Sequence, residues 1–232
     1  MPAFSSEPTL ESPSAGSRPH DALPCFPRLL YLIKTDLRRS LPLHFLLALS
    51  ILFLTPLLFG VTGLDAREAA QPLEFFVQLT GIVLLTPLFL PEQDEAVGDV
   101  VRARPTSPAL IWGTRALCST VALALCIAGF LLYMSGCGSE VGLRHFASVF
   151  SSALFLGGLG ALSWALLGNV ACAYLLPILY YAANLFAGKR LGVWNLFPMM
   201  MGASIPLWPR LLAGILFLAA AIWWKSRRRT FL

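Results

Sequence analysis

One stretch of the sequence, PEQDEAVGDVVRARPTS from Pro91 to Ser107, is densely charged although long apolar segments flank it. Proline is accepted in the first turn of a helix and disfavoured further along, so Pro91 and Pro105 predict a helix between them. The acids come first and the arginines last, the order that the helix dipole favours. The charged candidates for docking a partner are Glu92, Asp94, Glu95, Asp99, Arg102 and Arg104. The alternative is a solvated loop that only fixes the position of the next apolar segment.

Two groups of polar and aromatic residues could line a transport pathway. Glu74, Gln78 and Gly81 recur at helical spacing in one apolar segment. The second group, with spacings of three and four, comprises Tyr174, Pro177, Tyr181, Asn184 and Gly188. An acid or amide at membrane depth normally faces the interior of a helix bundle. Both groups are therefore pathway candidates, and the alternative is hydrogen bonding between helices without any ligand.

The sequence lacks the residue patterns of a nucleotide-binding or catalytic site. It contains no G-x-x-x-x-G-K-[ST] phosphate loop, and its glycine run at 157–160 favours close helix packing instead. The three His residues are too dispersed to suggest a metal site. An intramembrane hydrolase would need Ser204 beside His145 as its base, and no spacing supports that pairing. We therefore expect a chain that is not an enzyme and binds no cofactor of its own.

The composition of the chain is that of an integral membrane protein. Of the 232 residues, 57% are hydrophobic and only 12% are charged, which leaves too little polar surface for a soluble domain of this length. A helix needs about 20 apolar residues to cross the hydrocarbon core. The apolar runs predict an all-α fold with six spans, at about 42–61, 73–90, 110–134, 146–167, 170–187 and 207–224.

The segments before the first span differ from one another in composition. Residues 1–27 are rich in Ser and Pro and predict a disordered cytoplasmic tail, which leaves 28–232 as one transmembrane domain. Residues 28–41 alternate Leu and Ile with Lys34, Arg38 and Arg39, a pattern typical of a basic interfacial helix, or else of an early start to span one. Eleven Lys and Arg residues flank the ends that carry both termini, against five at the opposite ends. This bias predicts cytoplasmic termini in the plasma (inner) membrane.

The segment between the fifth and sixth spans is apolar but interrupted. Pro198, Pro206 and Pro209 make one continuous spanning helix a poor fit for residues 188–209. A broken hairpin that enters the outer leaflet fits better, provided that its irregular backbone is covered by protein or faces water. The alternative is an interfacial loop anchored by Trp194 and Trp208.

From Arg28 to the C-terminus the chain resembles the ABC-2 type permeases, the membrane subunits of ATP-binding-cassette exporters. The resemblance lies in the basic helix before span one, six spans with both ends inside, an acidic helix after span two and a broken hairpin before span six. Within it, Pro91-Glu92-Gln93-Asp94-Glu95, followed by Arg104-Pro105-Thr106-Ser107, is similar to the family's cytoplasmic coupling segment.

The resemblance implies a permease subunit that pairs with a second permease subunit, identical or different, and exports a substrate. ATP-binding cassette subunits would dock at Glu92 to Arg104 and would hold the ATP and Mg, since this chain has no nucleotide site. A function of another class stays open. The same charged stretch would serve a non-transporting membrane protein that scaffolds or regulates a membrane complex.

Overall fold

A computed structural model of the chain describes residues 25–92, 108–203 and 205–228. These residues form seven α-helices and three short 3-10 segments, and no strand occurs among them. The α-helices are α1 (Cys25–Phe59), α2 (Ala66–Phe75), α3 (Thr80–Leu85), α4 (Pro108–Gly136), α5 (Leu143–Leu167), α6 (Val170–Ala187) and α7 (Trp208–Arg228). The 3-10 segments are Val77–Leu79, Thr86–Glu92 and Gly188–Trp194. The predicted all-α class is confirmed.

Five helical segments are long and apolar enough to cross a membrane: Pro42–Phe59, Ala66–Leu90, Ala109–Gly136, Leu143–Leu167 and Val170–Ala187. They coincide with the first five predicted spans, so the chain has the makeup of a multi-pass membrane protein. Helix α7, the predicted sixth span, has 21 residues but is not among the five. Arg210 and Lys225 lie at the two ends of its apolar stretch and shorten it.

The first helix is longer than the sequence predicted. Helix α1 runs unbroken for 35 residues and passes through Pro42 and Pro56. The expected basic helix at 28–41 and the first span therefore form one helix, and not two elements. Helices at membrane depth tolerate proline because neighbouring groups can satisfy the freed backbone. The predicted tail at 1–27 lies outside the described residues except for 25–27, which belong to α1.

The second span starts earlier than predicted and is discontinuous. Arg67 and Glu68, which lie between the first two predicted spans, belong to the first turn of α2. Alanines favour a helix there, and Glu68 suits its positive end. The span then changes to 3-10 geometry at Val77–Leu79, returns to α geometry in α3 and becomes 3-10 again at Thr86–Glu92, with a kink at Pro87. Its first break separates Glu74 from Gln78.

Helix α5 is the centre of the bundle. Of its most apolar stretch 78% is buried, against 17% for α1 and for α6, so those two helices lie at the periphery of the bundle. A methyl group on Gly81 of α3 would collide with the carbonyl oxygen of Ala153, and one on Gly157 with the carbonyl oxygen of Gly81. These glycines let α3 and α5 touch backbone to backbone, which agrees with the packing role predicted for Gly157.

The loops at the start of span two and at the start of α5 are fastened together. The Ser139 hydroxyl donates to the carbonyl oxygen of Val61 at 2.6 Å, and the Glu140 N–H donates to that of Leu64 at 2.9 Å. His145 Nδ1 accepts from the Gly142 N–H, so its Nε2 carries the proton that bonds the Ala66 carbonyl oxygen at 2.8 Å. The start of α2 is therefore fixed against the start of α5.

Candidate functional site

Five buried polar side chains surround the first break of span two, and we call them the polar cluster. They are Glu74, Gln78, Ser148, Ser152 and Arg210, none of which is more than 1% exposed. They come from three elements: the discontinuous span two, α5 and the first turn of α7. Burial of an ionised side chain away from water is costly unless hydrogen bonds compensate it. The partners of each side chain therefore decide what the cluster does.

Glu74 holds a turn of the segment between α6 and α7, residues 188–207, which we call the hairpin. Glu74 Oε1 accepts from the Met199 N–H at 3.1 Å and from the Ser148 hydroxyl at 3.2 Å. Glu74 Oε2 accepts from the Met200 N–H at 3.0 Å. Successive backbone N–H groups that converge on one acid form an anion nest. The carboxylate thereby fixes the hairpin turn to span two.

Only one of the three guanidinium nitrogens of Arg210 has hydrogen-bond partners among the described residues. Its Nη1 donates to Ser152 Oγ at 2.9 Å and to the Asn195 carbonyl oxygen at 2.7 Å. Its Nε and Nη2 have no hydrogen-bond partner among the described residues. Glu74 and Arg210 attract each other through space, but the hydrogen bonds of the carboxylate go to the turn and to Ser148. One edge of the guanidinium group is therefore unused.

Gln78 is buried without any hydrogen bond. Neither its Oε1 nor its Nε2 has a partner in the part of the chain that the structure describes. Span two and α5 run in the same direction, because Glu74 meets Ser148 and, further along both, Gly81 meets Ala153. Gln78 follows Glu74 by four residues and lies in the 3-10 segment of the first break. It therefore belongs to the same break as the carboxylate that Ser148 bonds.

The irregular backbone of the hairpin is satisfied by side chains. The pairs outside the polar cluster are Tyr180 Oη with the Trp194 carbonyl, 2.8 Å; Asn184 Oδ1 with the Leu196 N–H, 3.0 Å; and Arg67 Nε with the Met200 carbonyl, 3.1 Å. Within the hairpin, Leu196 and Phe197 are fully buried. Non-helical backbone at membrane depth requires partners of this kind. Residues 195–198 are therefore covered by protein, whereas 192–194, 202 and 206 are exposed.

The predicted pathway residues lie around the hairpin and the break. Glu74 and Gln78 belong to the polar cluster, and Asn184 is fully buried on α6. The Tyr181 hydroxyl donates to the Phe75 carbonyl oxygen at 2.8 Å, where α2 ends. Tyr174 is half-buried and packs against an apolar cluster. Asn184 and Tyr181 make the packing bonds that the alternative interpretation expects, whereas Gln78 keeps unused capacity.

The predicted docking stretch falls on residues 93–107, outside the described residues, and only Glu92 lies at their edge. Ser204 lies outside them as well. Two cations lie near the point where this stretch begins. Arg115 Nη1 donates to the Leu88 carbonyl oxygen at 3.5 Å, and Lys225 Nζ lies 5.2 Å from the centre of the Phe89 ring. Helices α4 and α7 therefore bring positive charge to the end of span two.

Sequence reasoning missed Arg210, Ser148 and Ser152. Arg210, inside the predicted sixth span, was counted only as one of the five charges near the opposite span ends, whereas its side chain is completely buried. A charged residue in the first turn of an apolar helix was one available signal. The spacing of Ser148 and Ser152 was another, because serines four residues apart in a largely apolar helix lie on one face.

A cavity of about 650 Å³ lies between α1 and α4, apart from the polar cluster. Its lining includes Phe45, Leu49, Phe53, Leu125 and Phe130, and the Tyr133 hydroxyl adds one of its few polar groups. Such a groove suits an acyl chain but offers little chemistry. No group of three His, Cys, Asp or Glu side chains within the described ranges could hold a metal ion. The polar cluster is thus the stronger candidate site.

Comparison of the chain with protein-family models, with curated proteins and with solved structures found no match. Its function therefore has to be argued from the site itself.

Proposed function

We propose that the chain is the permease subunit of an exporter, which moves a substrate across the membrane with energy from separate ATP-hydrolysing subunits. The observation that carries this proposal is the polar cluster, in which Arg210 and Gln78 are fully buried with unpartnered polar atoms. Folded proteins satisfy the large majority of such atoms, so a set of them indicates a functional role. Transporters build their binding sites from polar groups on discontinuous helices.

The discontinuous span two provides a route for movement. One chain segment leads from Glu74, which holds the hairpin, through two 3-10 segments to Glu92. Stretches of 3-10 helix within a longer helix often mark hinges. Gly81 and Gly157 bring the two backbones into contact, and among side chains Leu85 packs onto Gly157. A partner that pulls at Glu92 would therefore tilt α3 against α5 and change the contacts of Glu74.

The proposed partners follow from the charge distribution and from the missing nucleotide site. ATP-binding cassette subunits would dock at Glu92 to Arg104 and hold the ATP and Mg. The basic excess favours both termini and this stretch on the cytoplasmic side of the plasma (inner) membrane, with α7 as a sixth span. The hairpin then lies toward the outer side. A second permease subunit, identical or different, completes the transporter.

Affinity purification of the tagged full-length protein in mild detergent, followed by mass spectrometry, tests this proposal. We expect a Walker-motif ATPase with the wild type and none with the double variant Glu92→Lys/Glu95→Lys. The matched control is Asp65→Lys/Glu68→Lys, the same reversal at exposed positions at the opposite end of span two, which should keep the ATPase. Failure to recover any ATPase, under conditions that preserve a known transporter complex, refutes the proposal.

A scaffold or regulator of a membrane complex is the second candidate. It is favoured by the hydrogen bonding of the hairpin, whose backbone is tied to α2, α6 and α7 as in a static structure. The same purification separates the two functions. The scaffold predicts membrane proteins without a nucleotide site among the recovered partners, again lost when Glu92 and Glu95 are reversed.

A further inference from the structure

We infer that the polar cluster binds a monovalent carboxylate attached to an apolar group, held by the unused edge of Arg210 and by the Gln78 amide. The inference rests on the proposed function in taking this molecule to be the transported substrate. The binding site itself is argued from the geometry alone.

The unused edge of Arg210 has the shape that a carboxylate requires. A guanidinium group binds carboxylates through two parallel N–H bonds from one edge. Nε–H and one N–H of Nη2 lie on the same side of the group, whereas Nη1 is committed to Ser152 and Asn195. Both atoms of the free edge lack partners although the side chain is completely buried. A complete two-donor fork is therefore present inside the bundle.

Glu74 does not occupy that fork, although it is an acid of the same cluster. Its two oxygens accept three hydrogen bonds, from Met199, Met200 and Ser148. Gln78, four residues after Glu74 in the 3-10 segment, adds an amide whose donor and acceptor have no partner among the described residues. The donor would bond a carboxylate oxygen. The unpartnered groups thus favour an anion with more than one acceptor atom.

The charge balance favours one negative charge over two. Glu74 and Arg210 cancel each other formally, so a bound monovalent anion adds one net charge to a buried site, and a divalent anion adds two. Because the cost of burying uncompensated charge rises steeply, phosphate is disfavoured. Ile82, Phe155 and Ala213 each follow a cluster member by three or four residues and belong to one buried apolar cluster. That cluster would receive the apolar part of the ligand.

Thermal unfolding of the full-length protein in nanodiscs of neutral phospholipid tests the inference, with sodium benzoate as the probe. A ligand that binds only the folded state raises the unfolding midpoint in a saturable manner. We expect this rise with benzoate, and no comparable rise with benzyl alcohol, sodium chloride or sodium phosphate. An equal rise with benzyl alcohol would show apolar binding only and overturn the inference, as would no response to benzoate.

Two variants test whether the benzoate response arises at the polar cluster. Arg210→Lys keeps the charge but lacks the two-donor edge, and we expect it to lose the saturable rise. Gln78→Leu removes an amide that has no partners, so the fold should be at least as stable, and the apparent Kd for benzoate should weaken up to about tenfold. If Arg210→Lys does not fold, the benzoate response of Gln78→Leu alone tests the proposed site. A wild-type benzoate response in Gln78→Leu, or in folded Arg210→Lys, contradicts the proposed site.

The outcomes separate this inference from the proposed function. Co-purification of the ATPase without a benzoate response would refute carboxylate binding and would still support the permease function. A saturable benzoate response without any ATPase keeps the binding site and refutes the ATP-driven permease.

Discussion

Replacement of Glu74 by Gln tests whether the carboxylate holds the hairpin turn. Gln has the same shape, and its carbonyl oxygen can still accept from Met199 and Ser148. Its NH₂ group would then face the Met200 N–H, now 3.0 Å from Oε2, so that two donors oppose each other. An unpaired buried N–H costs about 1–3 kcal/mol. Since 1.4 kcal/mol is a factor of ten, the opening of the turn should become about 5- to 140-fold more favourable.

Hydrogen–deuterium exchange of the full-length protein in nanodiscs measures that opening. We expect the Met200 amide to exchange faster by this factor in Glu74→Gln, while amides in the middle of α5 keep their rate. Glu68→Gln is the matched control, because Glu68 is an exposed acid in the first turn of the same helix. It should leave exchange within about twofold of wild type, since surface substitutions are usually small in effect. An unchanged rate at Met200, or equal acceleration in both variants, refutes the reasoning.

Three further predictions concern packing and local hydrogen bonds. Gly157→Leu should separate α3 from α5 and abolish monodisperse protein in size-exclusion chromatography, whereas Gly129→Leu, which faces open space, should not; equal profiles would contradict this. Asn184→Ala should leave the Leu196 N–H unpaired, at a cost of about 1–3 kcal/mol, and speed its hydrogen exchange; an unaltered rate counts against it. Ser139→Ala should destabilise the joined loops by about 1–2 kcal/mol, seen as a lower thermal midpoint; an unshifted midpoint would show that the hydroxyl contributes nothing.

The sequence predicted where helices lie better than it predicted what they contact. The five apolar segments agree with the predicted spans because the length of an apolar run is a local property. The break in span two was missed, since an apolar run looks the same whether it is α or 3-10. Proline at position 87 was a signal for the second break, whereas the first is stabilised by Tyr181, which bonds the Phe75 carbonyl oxygen from 106 residues away.

The candidate site was half predicted. Glu74 and Gln78 were identified because polar residues are rare in apolar segments and stand out. The partners of Glu74 could not be found in this way, since two of them are backbone N–H groups, which every residue except proline carries. Arg210 was used only in the charge count, because a position near a predicted span end suggested a role in topology. Only the folded chain shows that α7 turns its first residues inward against Ser152.

The order of synthesis has a consequence for Glu74. Its backbone partner Met199 follows it by 125 residues in the chain. At about 5–20 residues per second, the ribosome needs roughly 6 to 25 s to produce that partner. Span two therefore enters the membrane with an acid that has no final partner, and it must be retained by its apolar residues or by the insertion machinery until the last helix arrives. Assembly of this protein is thus completed from its C-terminal end, and a chain truncated before Met199 would carry an unsatisfied carboxylate.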